Sequence, residues 1–235
     1  MSDAELERIK EEYRARDAAT TSPYRWDNPG YVAYMQALER ALLRALADAG
    51  VALEGARVLD VGCGSGYFLH RFREYGAGEC HGIDLMEERI AAARERYPGL
   101  ELRVGSATEL PFTDGEFDLV TQLTCLSSIL DDDVRLAAAR EMQRVAGGWV
   151  LSFDMRGLRL RGRRSEGATP TVGLDEDELR RLFGEPALLR RVLAPFEVAQ
   201  LAGRHDLLAR AFAALRPLRS HYIGLWRAGS QAGTR

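Results

Sequence analysis

Residues 58–68 read VLDVGCGSGYF. The short apolar run RVLDV (57–61) breaks into glycines at Gly62, Gly64 and Gly66, and helix-compatible sequence begins at Tyr67. A buried strand that runs through a glycine turn into a helix brings bare backbone close to a ligand, and turns of this kind hold nucleotides. Strands this apolar belong in a parallel sheet with helices on both faces. That stretch reads as the first strand–turn–helix unit of an α/β fold.

The same alternation runs along the chain. YFLHRFREYG reads as a helix ending at Gly76, and ECHGIDL (79–85) as the second strand. EERIAAARERYPG is a helix closed by Pro98-Gly99, and LELRVG (100–105) is the third strand. FDLVTQL (117–123) is the fourth strand, DDDVRLAAAREMQRVAGG a helix whose acidic start suits its dipole, and WVLSFDM (149–155) the fifth strand. The tail adds a helix at DEDELRRLF, a strand at ALLRRVL (187–193), a helix at HDLLARAFAALR and a last strand at SHYIGLWR (220–227). Upstream, residues 3–18 read as a charged helix. Val32, Met35, Leu38, Leu42 and Leu46 recur at helical spacing over 32–49, and Gly50 stands where that helix would stop. Between the two helices, TTSPYRWDNPGY (20–31) is a turn-rich connector carrying three aromatics. The pattern predicts an N-terminal helical cap or lid over 1–50, one α/β domain over 51–228 and a disordered tail over 229–235.

Composition narrows the function. The 32 basic and 35 acidic residues give a formal charge of -3, which offers no bulk attraction for a nucleic-acid partner. No apolar run reaches the length of a membrane span, and the charged start does not read as a signal peptide. Cys63, Cys80 and Cys125 are scattered without CxxC spacing, so they form neither a metal site nor a disulfide framework and fit a reducing cytosol. The expectation is a cytoplasmic protein, monomeric or homodimeric, with no metal.

The glycine turn discriminates among nucleotides. A phosphate loop needs a Lys after its glycines, and Lys10 is the chain's only lysine. A dinucleotide fingerprint needs a third small residue where Tyr67 stands. Asp60, at the end of the first strand, would repel a pyrophosphate and favour an amine-bearing ligand. Asp84 ends the second strand, where a carboxylate can accept both hydroxyls of a ribose. S-adenosylmethionine has an ammonium, a sulfonium and a ribose but no phosphate. Each acid also has a plainer reading, Asp60 as a turn former and Asp84 as a helix N-cap.

VLDVGCGSG, then GIDL, then GSATELPFTDGEFDLV, then RVAGG before WVLSFD, resembles a class I S-adenosylmethionine-dependent methyltransferase. The likeness is strong over 57–155. At SPYRWDNPGY and HYIGLWR it resembles a bacterial small-molecule subgroup, UbiE-like or type 11, found with secondary-metabolite or glycan biosynthesis. It implies a Rossmann-like, doubly wound sheet of seven strands, mostly parallel, with the last strand antiparallel and inserted beside the sixth. It implies that Gly62, Gly64 and the nearby backbone of Cys63 and Gly66 line the methionine part. By the same resemblance Asp60 organises the turn and helps hold the amino group, Asp84 binds the ribose and Leu85 lies against the adenine. Ser106 and Ala107 sit at the adenine edge, and Gln122 and Leu123 close over the methionine side. Many relatives carry Asp where Ser106 stands, so that contact is weaker here or lost.

Methyl transfer is an in-line displacement that needs alignment and exclusion of water more than a fixed base. Candidate catalytic residues are Tyr24 in the connector, Asp154 at the end of the fifth strand and His205; His221 is a further histidine on the same side. Tyr24, Trp26 and Tyr31 either contact a sulfonium or amine or pin the N-terminal helices to the domain. Arg25 could hold the cofactor carboxylate. Arg156, Arg159, Arg161, Arg163 and Arg164 follow the fifth strand and suit an anionic or carrier-bound acceptor; they equally suit a solvated loop. The leading reading is methylation of a small molecule, with oxygen favoured over nitrogen or carbon. A nicotinamide-dependent oxidoreductase and a non-catalytic, cofactor-binding partner subunit are the alternatives. Nucleic-acid and protein methylation are disfavoured, since TQLTCLSS stands where an NPPY-type tetrad would be.

Overall fold

The computed structural model describes residues 3–18, 24–156, 171–193 and 219–229. Two helices lead in, α1 (Asp3–Ala18) and α2 (Pro29–Ala49). Then come β1 (Arg57–Val61), α3 (Tyr67–Glu74), β2 (Glu79–Asp84), α4 (Glu87–Arg96), β3 (Glu101–Val104) and β4 (Phe117–Leu123). A 3-10 turn (Leu126–Ser128) leads to α5 (Asp132–Val145), β5 (Ala146–Met155), α6 (Glu176–Phe183), β6 (Leu188–Val192) and β7 (His221–Arg227).

The seven strands form one sheet in the order β3-β2-β1-β4-β5-β7-β6. β1 pairs in parallel with β2 and β4, β2 with β3, and β4 with β5, while β7 runs antiparallel to both β5 and β6. β7 is thus the single reversed strand, inserted beside β6 as the family resemblance implied. The chain leaves β1 toward β2 and β3 and returns on its other side at β4. This reversal opens a crevice beyond the carboxyl ends of β1 and β4, where ligands of such sheets bind.

Side chains alternate across β1. Leu59 and Val61 join a core with Phe117, Val120, Met142, Val145, Phe183 and Trp226 on the α5–α6 face. Val58 joins the other core, with Leu42, Leu46, Phe72, Ile90, Leu151 and Ile223 beneath α2, α3 and α4. α2 is thus one of the layer helices, with Leu38, Leu42 and Leu46 buried on the sheet.

Two element starts differ from the sequence reading by three residues. α2 starts at Pro29 rather than residue 32, because Asn28 caps it by accepting from Gly30 N at 3.0 Å and proline suits a first helical position. β5 starts at Ala146, so the glycines expected to end α5 lie in the strand. A Cβ on Gly147 would lie 2.5 Å from the Gly115 carbonyl oxygen and one on Gly148 2.4 Å from that of Asp118. Only glycine admits so close a backbone approach. The expected helix over HDLLARAFAALR and the tail from residue 230 lie outside the described residues. Among the described residues no helix is long and apolar enough to cross a membrane.

Candidate active site

Gly62, Gly64 and Gly66 have φ of 75°, 52° and 72°, the left-handed region that side chains rarely enter. The turn is fastened to β2: Gly62 N and Cys63 N both donate to Ile83 O, at 2.7 and 3.0 Å. Gly64 N donates to Asp84 Oδ2 at 2.8 Å, and the other oxygen of Asp84 accepts from Met86 N at 2.9 Å. Asp84 therefore joins the glycine turn to the start of α4. Met86, not Asp84, occupies the N-cap position of that helix. A carboxylate carries about four acceptor sites, so these two bonds leave capacity for a further donor. The Cys63 side chain is buried against Gly82, so what Cys63 offers the crevice is backbone.

Asp60 is buried at the carboxyl end of β1 and is 3% exposed. Its Oδ1 accepts from Thr121 Oγ1 at 2.7 Å, and its second oxygen has no hydrogen-bond partner among the described residues. Burial pushes its carboxyl up to about 7; the Thr121 hydroxyl opposes the shift and the nearby Asp84 adds to it. A half-satisfied buried carboxylate beside a bare glycine turn suits a cationic, hydrogen-bonding ligand group. That environment fits the ammonium end of S-adenosylmethionine and repels phosphate. The turn-former reading of Asp60 gains no support, since its one hydrogen bond goes to a neighbouring strand.

Ser106 follows β3, where its hydroxyl bonds the Thr108 hydroxyl at 2.8 Å and accepts from Thr108 N at 3.2 Å. Ala107 and Leu85 pack against the α5–α6 core. At the end of β4, Leu123 packs against the other core, whereas Gln122 is fully buried. Gln122 Oε1 accepts from Cys125 N and Leu126 N at 2.9 and 3.2 Å, while its amide donates to Ser152 Oγ and Asp154. Asp154 is 1% exposed, and its Oδ1 accepts from Ser127 N at 3.1 Å. Burial pushes Asp154 up to about 6.

Sequence reasoning missed how α1 reaches the crevice. Tyr13 Oη and Ser128 Oγ are 2.6 Å apart, and Arg8 donates to Ser128 O at 3.1 Å. Arg89 pairs with both oxygens of Asp17 at 2.7 Å and lies over the Tyr13 ring at 4.3 Å. A Cβ on Gly64 would lie 3.9 Å from the same arginine. α1 thus spans from the turn after β4 to the start of α4. Only the buried Ile9 within a charged helix hints at this docking in the sequence.

In the connector, Trp26 packs on Tyr67 at 4.8 Å and on Tyr31 at 5.3 Å, and Tyr24 meets Tyr31 at 6.0 Å. This aromatic group sits at the first residue of α3, directly after the glycine turn. Tyr24 and Trp26 are nonetheless half exposed. Arg25 is exposed and pairs with Asp27 at 2.9 Å, which holds the Asp27 carboxyl below its ordinary range. His221 is buried, stacked on Phe153 at 4.8 Å, with its ring nitrogens bonded to Tyr34 Oη at 3.1 Å and Ser220 Oγ at 2.8 Å. Burial drives it down to about 4, so it is a neutral packing residue. His205 and Arg159, Arg161, Arg163 and Arg164 lie outside the described residues. No cluster of three His, Cys, Asp or Glu side chains that could hold a metal occurs among the described residues.

Residues 58–147 match the methyltransferase domain family. Over these residues the chain is similar to S-adenosylmethionine-dependent methyltransferases of class I. It is 37% identical over 112 residues to norajmaline N-methyltransferase of Rauvolfia serpentina, covering 43% of this chain and 37% of that protein. It is 36% identical over 118 residues to demethylmenaquinone methyltransferase of Staphylococcus aureus, covering 47% of each. Those matches span less than half the length of either relative. Among solved structures, magnesium protoporphyrin IX methyltransferase of Synechocystis, with bound S-adenosylhomocysteine, superposes with a TM-score of 0.62 over 93% of this chain and 94% of that one. At 14% identity that likeness is one of fold.

Proposed function

We propose that this methyltransferase binds S-adenosylmethionine in the crevice between β1 and β4 and methylates a small-molecule acceptor. The observation that carries the reading is Asp60, a buried carboxylate with one oxygen unpaired beside three left-handed glycines. When bound, the cofactor supplies a methyl group activated on a sulfonium. Asp60 would hold the ammonium, the amides of the glycine turn would take the carboxylate end, and Asp84 would orient the ribose. α1 and the Tyr24–Trp26 connector would exclude water. The acceptor atom is proposed to be oxygen, with nitrogen as the alternative because two relatives are named as N-methyltransferases. Of the three catalytic candidates, the exposed Tyr24 is the one we set nearest the acceptor. The test is calorimetric titration of wild type and Asp84→Ala with S-adenosylhomocysteine and NADH. Micromolar binding of the adenosyl compound that weakens in the variant supports the reading. Preference for NADH, or no binding of either, overturns it.

A further inference from the structure

The turn after β4 is unusual in its backbone. Thr124 has φ 65°, strained for a β-branched residue, and its N–H donates to Phe153 O at 2.7 Å. Such a conformation persists only where its surroundings dictate it. Here the surroundings are two buried side chains. Gln122 accepts from Cys125 N and Leu126 N, and Asp154 accepts from Ser127 N. The Gln122 amide then donates to Asp154, closing the bracket. Three successive amides of the turn are thus held by one glutamine–aspartate pair. The turn in its place touches the glycine loop: a Cβ on Gly62 would meet the Cβ and Sγ of Cys125, each at 2.8 Å.

We propose that Asp154 is a positioning residue, which acts through Gln122 to hold the 124–128 turn against Gly62 and so shapes the cofactor pocket, rather than a base that takes the acceptor's proton. Both its oxygens are engaged by the protein, and it is sealed from solvent. This rests on the cofactor reading above.

The donor–acceptor pattern provides the test. In Asp154→Asn the new amide cannot accept from both Ser127 N and the Gln122 amide, and turning Gln122 over would set its NH2 against two backbone N–H groups. In Gln122→Glu two carboxylates face each other. The double variant Q122E/D154N restores every bond of the bracket, and the Ser152 hydroxyl, which accepts from the Gln122 amide in wild type, can turn to donate to the carboxylate. The carboxylate introduced at position 122 accepts from Cys125 N, Leu126 N and the NH2 introduced at position 154, whose carbonyl oxygen accepts from Ser127 N. Apart from the reversed Ser152 bond, only the position of the charge changes.

S-adenosylhomocysteine affinity is measured by calorimetry at pH 8 for wild type, both single variants and the double. Amide hydrogen exchange at Cys125, Leu126 and Ser127 is followed on the same proteins without ligand. We expect each single variant to bind about 10-fold or more weakly with faster exchange at these amides, and the double to return to within about 3-fold of wild type. Wild-type affinity and exchange in D154N would overturn the proposal. So would a double variant no better than the singles. If wild type itself fails to bind, the cofactor reading has failed and takes the pocket-shaping role with it. The exchange pattern would still decide whether the pair holds the turn.

Discussion

Gly62 and Cys125 meet so closely that a single methyl on the glycine would stand 2.8 Å from the cysteine's Cβ and Sγ. The two turns that frame the crevice, one after β1 and one after β4, are therefore a packed pair. Gly62→Ala carries two penalties: the left-handed backbone, about 1–2 kcal/mol, and the clash with Cys125. Gly64→Ala carries only the first, since the nearest atom to its Cβ is 3.9 Å away. We expect G62A to lower Tm more than G64A, and the addition of Cys125→Gly to recover part of the G62A loss. Equal losses in the two variants, measured by thermal denaturation, would show that the turns do not press on one another.

Asp60 links pH to both stability and binding, with opposite signs. Its folded-state pKa is about 7, against 3.8 for an ordinary aspartate carboxyl. Between those values the native protein holds more protons than the unfolded chain, so stability from this group falls as pH rises from about 4 to about 7. Asp154 adds the same trend up to about 6. Binding an ammonium requires the ionised form, so S-adenosylhomocysteine affinity should rise over pH 6–8, with a proton released on binding below about 7. Asp60→Asn should weaken binding and flatten its pH dependence. Calorimetry in buffers of different ionisation enthalpy reads the proton directly. No proton release at pH 6 would mean that Asp60 is not the ammonium partner.

The Tyr13–Ser128 hydrogen bond ties α1 to the same turn that Gln122 and Asp154 hold. A double-mutant cycle with Tyr13→Phe and Ser128→Ala should give a coupling of about 0.5–1.5 kcal/mol, the net value of one such bond. Both single variants should speed proteolysis within residues 1–28. Bound S-adenosylhomocysteine should slow that cleavage in wild type. Independent, additive effects would mean that α1 docks without the Tyr13–Ser128 bond, through contacts such as those of Ile9, Arg8 and Arg89.

The β1–glycine–α3 unit is legible in the sequence because it is local: strand period, three glycines and a helix follow one another. That Asp60 and Asp84 come to one edge of the sheet is legible because strand ends in a doubly wound sheet share that edge. The family resemblance implies Gln122 as a cofactor contact, and its side chain is engaged by the turn behind the site. That distinction depends on which way a buried amide points, and strand position does not encode it. The docking of α1 is illegible for a related reason. Ser128 and Arg89 look ordinary in sequence, and only the fold brings them to Tyr13 and Asp17. The strand start at Ala146 is hidden because Gly147 and Gly148 look like a helix stop, whereas their role is close approach to Gly115 and Asp118.

Trp26 offers a spectroscopic view of the crevice's mouth. It is 44% exposed and packs on Tyr67, the first residue after the glycine turn, while Trp226 is fully buried in the sheet core. A ligand entering the glycine turn changes the surroundings of Tyr67 and hence of Trp26, and leaves Trp226 untouched. S-adenosylhomocysteine should therefore change the tryptophan emission of wild type with the same midpoint as the calorimetric titration. In Trp26→Phe the aromatic packing on Tyr67 is kept and the fluorophore is lost, so binding should persist, within about 3-fold, without the optical signal. A signal that survives W26F would assign the response to Trp149 or Trp226 and place the ligand-induced change in the sheet rather than at the connector. Loss of binding along with the signal would make Trp26 a contact rather than a reporter, and would tie the connector directly to the cofactor.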